Sequence, residues 1–274
     1  MNLERMNLFS VHLGYMLGAL PFPERFARAR KLGFKAVEMP FPYVIDAEDY
    51  ARHLAGHDLR QISIGAPTTD YRKGEIGLAI DPGQRGAFRA SLEEAARYAK
   101  RIACPCVHVF SGCGAAHLTR ETMEEIYCEN LGFAADFLSR EGITTLIEPI
   151  NSNDFPRYFL DSFDAALSII EKIGSPHIRL ILDVYHLSVM RQDPVRRIAE
   201  AHALVQHVQF ADFPGRHEPG TGRIDFRAIV NALRERDYRG SAGLEYIPTK
   251  AVCEPLSLPP ALAAYAGLAM GAQS

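Results

Sequence analysis

Short apolar runs alternate with longer amphipathic ones along nearly the whole chain. The short runs have the length and β-branched content of buried strands, and the longer ones repeat their apolar residues every three to four positions. Strands are predicted at Leu8–Leu13, Lys35–Met39, Leu59–Gly65, Cys106–Phe110, Ile143–Glu148, Ile178–Val184, Leu204–Phe210 and Ser241–Tyr246. Helices are predicted at Pro23–Leu32, Ala47–Ala55, Arg85–Ile102, Arg120–Glu141, Ser162–Ile173, Pro194–His202, Asp225–Arg236 and Pro259–Met270. The punctuation agrees: Gly33, Gly142 and Gly174 stand just past helix ends, and Pro194 opens a helix. The longest stretch without such a pattern runs from Gly65 to Gly83.

Eight strands, each followed by a helix, are the pattern of an α/β fold of one kind, the single (β/α)8 TIM barrel. An open doubly wound sheet would alternate too, but its first turn carries a glycine-rich dinucleotide fingerprint. Here that turn reads Gly14-Tyr15-Met16-Leu17-Gly18, which is not that fingerprint. No linker rich in Gly, Ser or charge interrupts the 274 residues, so one domain is expected, frayed after Met270.

Composition narrows the class. With 47% hydrophobic residues and a net charge of −3, the chain has material for one large core and no basic footprint for nucleic acid. No run is long and apolar enough for a membrane helix, and no signal peptide is visible, so the cytoplasm is expected. The five cysteines are an odd set without paired spacing, which argues for a reducing compartment. Cys104 and Cys106 are read as buried thiols rather than a metal or redox pair.

In a barrel the chemistry sits at the C-terminal ends of the strands. Four consecutive strands each carry a polar residue there: Glu148, Asp183, Gln209 and Glu245. Three carboxylates converging on one small volume repel one another and are costly to bury unpaired. A divalent cation resolves both problems, and an oxygen-rich set of two Glu, one Asp and a Gln carbonyl suits Mg2+ or Mn2+, with Zn2+ and Co2+ left open. His186, three residues past Asp183, is placed to reach a substrate oxygen.

These strand ends resemble those of the sugar isomerase/epimerase barrels, a superfamily that also holds endonuclease IV. Within it the chain is similar to the hydroxypyruvate isomerase family. The segments that carry the likeness are Leu20–Tyr43, Leu146–Leu160, Leu182–His186, His207–Phe226 and Gly243–Tyr246. The resemblance implies metal ligation by Glu148, Asp183, Gln209 and Glu245, with Glu148 and Glu245 as the acid/base pair. It implies aldose–ketose isomerisation of a small α-hydroxycarbonyl acid, hydroxypyruvate or a 2-oxo-tetronate, through an enediolate. A homo-oligomer is compatible with it. The chain departs from the family pattern in the loops Ile64–Gly83 and Phe110–His117 and in its first strand.

For such chemistry Arg216 is the best candidate to hold a substrate carboxylate, and His186 to polarise or orient substrate oxygens. Glu38, at the end of the second strand, would bind a substrate hydroxyl or orient a helper residue. Gly220-Thr221-Gly222 is read as turn chemistry rather than a phosphate cradle. Three other readings stay open at this point. A ketose 3-epimerase would use the same scaffold. A nuclease like endonuclease IV would need further metal-binding histidines that are missing here. A non-catalytic barrel would have no reason to keep clustered carboxylates.

Overall fold

The computed structural model describes residues 9–68, 76–114, 117–250, 260 and 262–263. They group into two compact units. The first draws on Met1–Met39, Ala51–Ile62 and Leu182–Ser274, the second on Pro40–Tyr50 and Ser63–Ile181. The elements in chain order are β1 (Phe9–His12), α1 (Glu24–Lys31), β2 (Ala36–Glu38), α2 (Ala47–Gly56), β3 (Arg60–Gln61) and β4 (Ile64–Gly65). Then come α3 (Arg85–Arg101), β5 (Cys106–His108), α4 (Arg120–Arg140), β6 (Thr144–Ile147), α5 (Phe163–Ile173) and β7 (Ile178–Asp183). The last are α6 (Val184–Val189), α7 (Pro194–Ala201), β8 (Val205–Phe210), α8 (Phe226–Glu235) and β9 (Ser241–Leu244).

In the first unit the strands pair in parallel in the order β3, β2, β1, β9, β8. The register places Ser10 beside Gly243 and Gly243 beside Gln209, so these three form one row across three strands. Alternation along the strands sends Phe9, Val11, Val208 and Phe210 to one face, where all four are fully buried and Phe9 meets Phe210 edge to face at 6.3 Å. The other face carries Ser10, His12, His207 and Gln209. Helix α8 starts because the Asp225 carboxylate accepts from the backbone N–H groups of Arg227 and Ala228, both at 3.0 Å. It buries Phe226, Ile229, Val230 and Leu233, an apolar stripe at helical spacing.

The second unit pairs β4, β5, β6 and β7 in parallel. Helix α4 packs on β6 and touches α3 and α5. Helix α5 has Ser162 as its N-cap and Gly174, with φ of 68°, as its stop, as the sequence predicts. Cys106, Leu146 and Ile181 form a core cluster. Cys104 and Cys106 are buried free thiols, and burial pushes the Cys106 thiol up to about 12. They are neutral core residues, as expected.

Two predicted elements differ. The single strand expected at Leu59–Gly65 is two short strands, because its halves serve different units. Arg60 and Gln61 pair with Ala36 and Val37, whereas Ile64 and Gly65 pair with Val107 and His108. The segment after Asp183, expected as strand and loop, forms the six-residue helix α6. That is too short to show a 3.6-residue period, and it is nucleated by the Asp183 side chain. Of the predicted helix Pro259–Met270, only residues 260, 262 and 263 are described, and they are helical. The tail beyond Met270 lies outside the described residues.

Candidate active site

Asp183 ends β7 and caps α6. Its Oδ1 accepts from the backbone N–H of Tyr185 at 2.7 Å and of His186 at 3.4 Å. This cap turns the chain and fixes the carboxylate in place. Its Oδ2 accepts from Arg216 Nη2 at 3.0 Å. The same Nη2 donates to Glu245 Oε1 at 2.8 Å, and Arg216 Nε donates to the Glu245 carbonyl at 3.3 Å. One guanidinium therefore ties together two of the expected metal ligands. Asp183 is 3% exposed, Arg216 5% and Glu245 8%. Burial pushes the Glu245 carboxyl well above the usual carboxylate range, with Arg216 opposing and Asp183 and Glu38 adding to the rise.

Arg216 owes its position to the loop that carries it. The buried Asp212 carboxylate accepts four backbone N–H groups: Phe213 and Ile224 on Oδ1, Gly220 and Gly222 on Oδ2, at 2.7–3.1 Å. The amides that a phosphate would need are thus taken by Asp212, in agreement with the turn reading of Gly220-Thr221-Gly222. Arg216 sits in this loop with φ of 55°, and its guanidinium lies 4.6 Å from the centre of the Tyr15 ring and 5.0 Å from that of Tyr185. Its Nη1 is 3.3 Å from His186 Nε2. An arginine only donates, so this ring nitrogen of His186 accepts.

A second polar corner lies among β1, β2, β8 and β9. Glu38 Oε2 accepts from His207 Nε2 at 2.7 Å and Gln209 Nε2 at 2.9 Å, while Oε1 accepts from the Ser10 hydroxyl. Burial alone would raise the Glu38 carboxyl, but His207, His12 and the Ser10 hydroxyl together outweigh it and hold the group down to about 2. Both oxygens of Glu38 are engaged by side chains of the protein itself. Gln209 Oε1 is buried and, among the described residues, has no hydrogen-bond partner.

His12 was not predicted. Its Nδ1 accepts from the backbone N–H of Gly14 and Tyr15, and its Nε2 faces Glu245 Oε1 at 3.9 Å. Burial lowers its imidazole to about 4. The signal was present in the sequence: a histidine on the polar face of an otherwise apolar strand, as His207 also is. In the second unit, Glu148 follows β6 directly and is buried, with Oε2 3.7 Å from His108 Nδ1. Burial holds the His108 imidazole down to about 3, so it is neutral.

The donor chemistry fits a hard divalent cation. Asp183 and Glu245 bring two carboxylates to one positive group, and the Gln209 carbonyl oxygen is a buried acceptor left over.

The family model for the xylose isomerase-like TIM barrel matches residues 26–270. A putative hydroxypyruvate isomerase from Homo sapiens is 38% identical, covering 91% of this chain and 92% of that one. The chain belongs to the hydroxypyruvate isomerase family. The chain is also similar to the 2-oxo-tetronate isomerase of Cupriavidus necator, 35% identical over 89% of this chain and 94% of its own, and to the hydroxypyruvate isomerase of Escherichia coli, 34% identical over 88% and 93%. A crystal structure of an AP endonuclease, family 2, from Brucella melitensis superposes with a TM-score of 0.86 at 36% identity, covering 89% of this chain and 95% of that one. A D-psicose 3-epimerase from Clostridium cellulolyticum shares the fold, with a TM-score of 0.74 at 17% identity over 96% of each chain. Membership settles two expectations: the fold is a TIM barrel, and the protein is an isomerase. Among the described residues no helix is long and apolar enough to cross a membrane.

Proposed function

We propose that this isomerase is metal-dependent and interconverts the keto and aldehyde forms of a small α-hydroxycarbonyl acid. Hydroxypyruvate with tartronate semialdehyde, and a 2-oxo-tetronate, are the substrates to try first. The observation that carries the reading is the pair of buried carboxylates, Asp183 and Glu245, converging on a single cationic group. The names of the relatives, hydroxypyruvate and 2-oxo-tetronate isomerases, support the substrate class.

Glu148, Asp183, Gln209 and Glu245 would hold the cation, Mg2+ or Mn2+ by their oxygen chemistry. When bound, it would polarise the substrate carbonyl and balance the charge that develops on the enediolate oxygens. The protein's own residues carry the proton. One of Glu148 and Glu245 takes it from the carbon beside the carbonyl, and the other returns a proton to the neighbouring carbon. Arg216 anchors the substrate carboxylate, and His186 meets a substrate oxygen. The two tyrosine rings flanking Arg216 keep water from its faces and strengthen its hold on an anion.

Glu148→Gln and Glu245→Gln keep the side-chain size and remove the proton acceptor. Each is expected to lower kcat by about 100- to 10,000-fold, with an unchanged circular dichroism spectrum. Substantial turnover by either variant contradicts the two-carboxylate scheme.

A further inference from the structure

The row Ser10, Gly243, Gln209 has a gap in its middle, and the carboxylate of Glu38 fills it. Glu38 belongs to β2, yet its side chain crosses β1 and lies over Gly243 on β9. A Cβ at Gly243 would stand 2.1 Å from Glu38 Oε1 and 2.9 Å from His207 Nε2. Only glycine leaves this space. Ser10 holds the carboxylate from one side of the gap, and His207 and Gln209 from the other. His207 is itself fixed from behind, with Nδ1 2.6 Å from the Ser241 hydroxyl.

The chemistry of this corner decides which way Gln209 faces. A glutamine amide has a donating end and an accepting end of almost the same shape. An ionised carboxylate only accepts, so the end of Gln209 that meets Glu38 must be the NH2 group. The carbonyl oxygen is then turned away from Glu38, and it is the atom left buried without a partner among the described residues. With a neutral amide in place of Glu38 and the other tautomer of His207 facing it, either end of Gln209 would be accepted.

We propose that Glu38, seated over Gly243 and held by Ser10 and His207, is a positioning residue that locks the Gln209 amide with its carbonyl oxygen toward the metal. Glu38 touches neither substrate nor cation. It acts through Gln209, by excluding the flipped amide that would present an NH2 group to the ion. This inference rests on the metal reading given above.

The test is Mn2+ binding measured by calorimetry on the purified full chain stripped with chelator, alongside its metal-free melting temperature. E38Q is expected to weaken Mn2+ binding by about 10- to 100-fold, the range for removing an outer partner of a metal ligand. The exchanged pair E38Q/Q209E restores a donor facing an acceptor and again turns an oxygen to the ion, so it is expected to recover wild-type affinity or better. A purely structural loss would not be repaired by that exchange. Ser10→Ala, a milder change that removes one hold on Glu38, is expected to weaken binding in the same direction. Equal affinity of E38Q and Ser10→Ala with wild type overturns the inference, as does a failure of the exchanged pair to recover. If the wild-type protein binds no Mn2+, the metal reading itself falls and takes this inference with it.

Discussion

Two polar corners of the first unit solve the burial of charge in opposite ways. Around Glu38 there is one carboxylate and three donors, Ser10, His207 and Gln209. Around Arg216 there is one cation and two carboxylates, Asp183 and Glu245. The first corner is saturated and has reason to stay as it is. The second has an excess of negative charge and has reason to accept another cation. A buried carboxylate is therefore not by itself a sign of a ligand site, and the donors around it decide whether it is scaffold or machinery.

That contrast can be broken most directly at Arg216. Arg216→Ala leaves Asp183 and Glu245 buried without their shared cation. The metal-free protein is expected to lose about 3–5 kcal/mol, the cost of breaking a buried ion pair from one side. Saturating Mn2+ is expected to return part of this loss in a thermal melt, because the metal supplies the missing positive charge. An equal loss with and without Mn2+ would mean that the arginine corner is scaffold as well. Turnover should remain low even with metal, since the proposed anchor for the substrate acid is gone.

A smaller effect is expected one step back along the loop. Asp212→Asn keeps the side-chain shape but replaces one of its two acceptor oxygens with a donor facing backbone N–H groups. It is expected to cost about 1–3 kcal/mol, the penalty for unsatisfied buried partners. It should raise KM more than it lowers kcat, because Arg216 is the group that the loop positions. An unchanged KM would separate the loop from substrate binding.

Most of the elements were legible because the chain obeys local rules: alternating strands, capped helices and glycine stops such as Gly174. Glu148, Asp183, Gln209 and Glu245 stood out as polar residues at the ends of apolar strands. What the sequence hid depends on distant partners. The strand at Leu59–Gly65 looks continuous, and only the pairing of its two halves breaks it. Helix α6 is invisible to periodicity because it spans six residues and starts from the Asp183 side chain. Glu38 reads as a residue that binds a substrate hydroxyl or orients a helper residue, and its partners Ser10 and His207 lie 28 and 169 positions away.

The carboxylates around Arg216 are proposed to serve a metal-dependent proton transfer on a small hydroxy-keto acid. The most direct measurement is turnover in D2O by protein stripped with chelator and then reloaded with Mg2+ or Mn2+. Hydroxypyruvate, a 2-oxo-tetronate and free ketoses such as fructose and tagatose would be offered in parallel. No turnover is expected without metal, with isomerisation of one of the acids restored by it and deuterium on the carbon beside the carbonyl. Full activity after stripping, or turnover of the free ketoses alone, would contradict it.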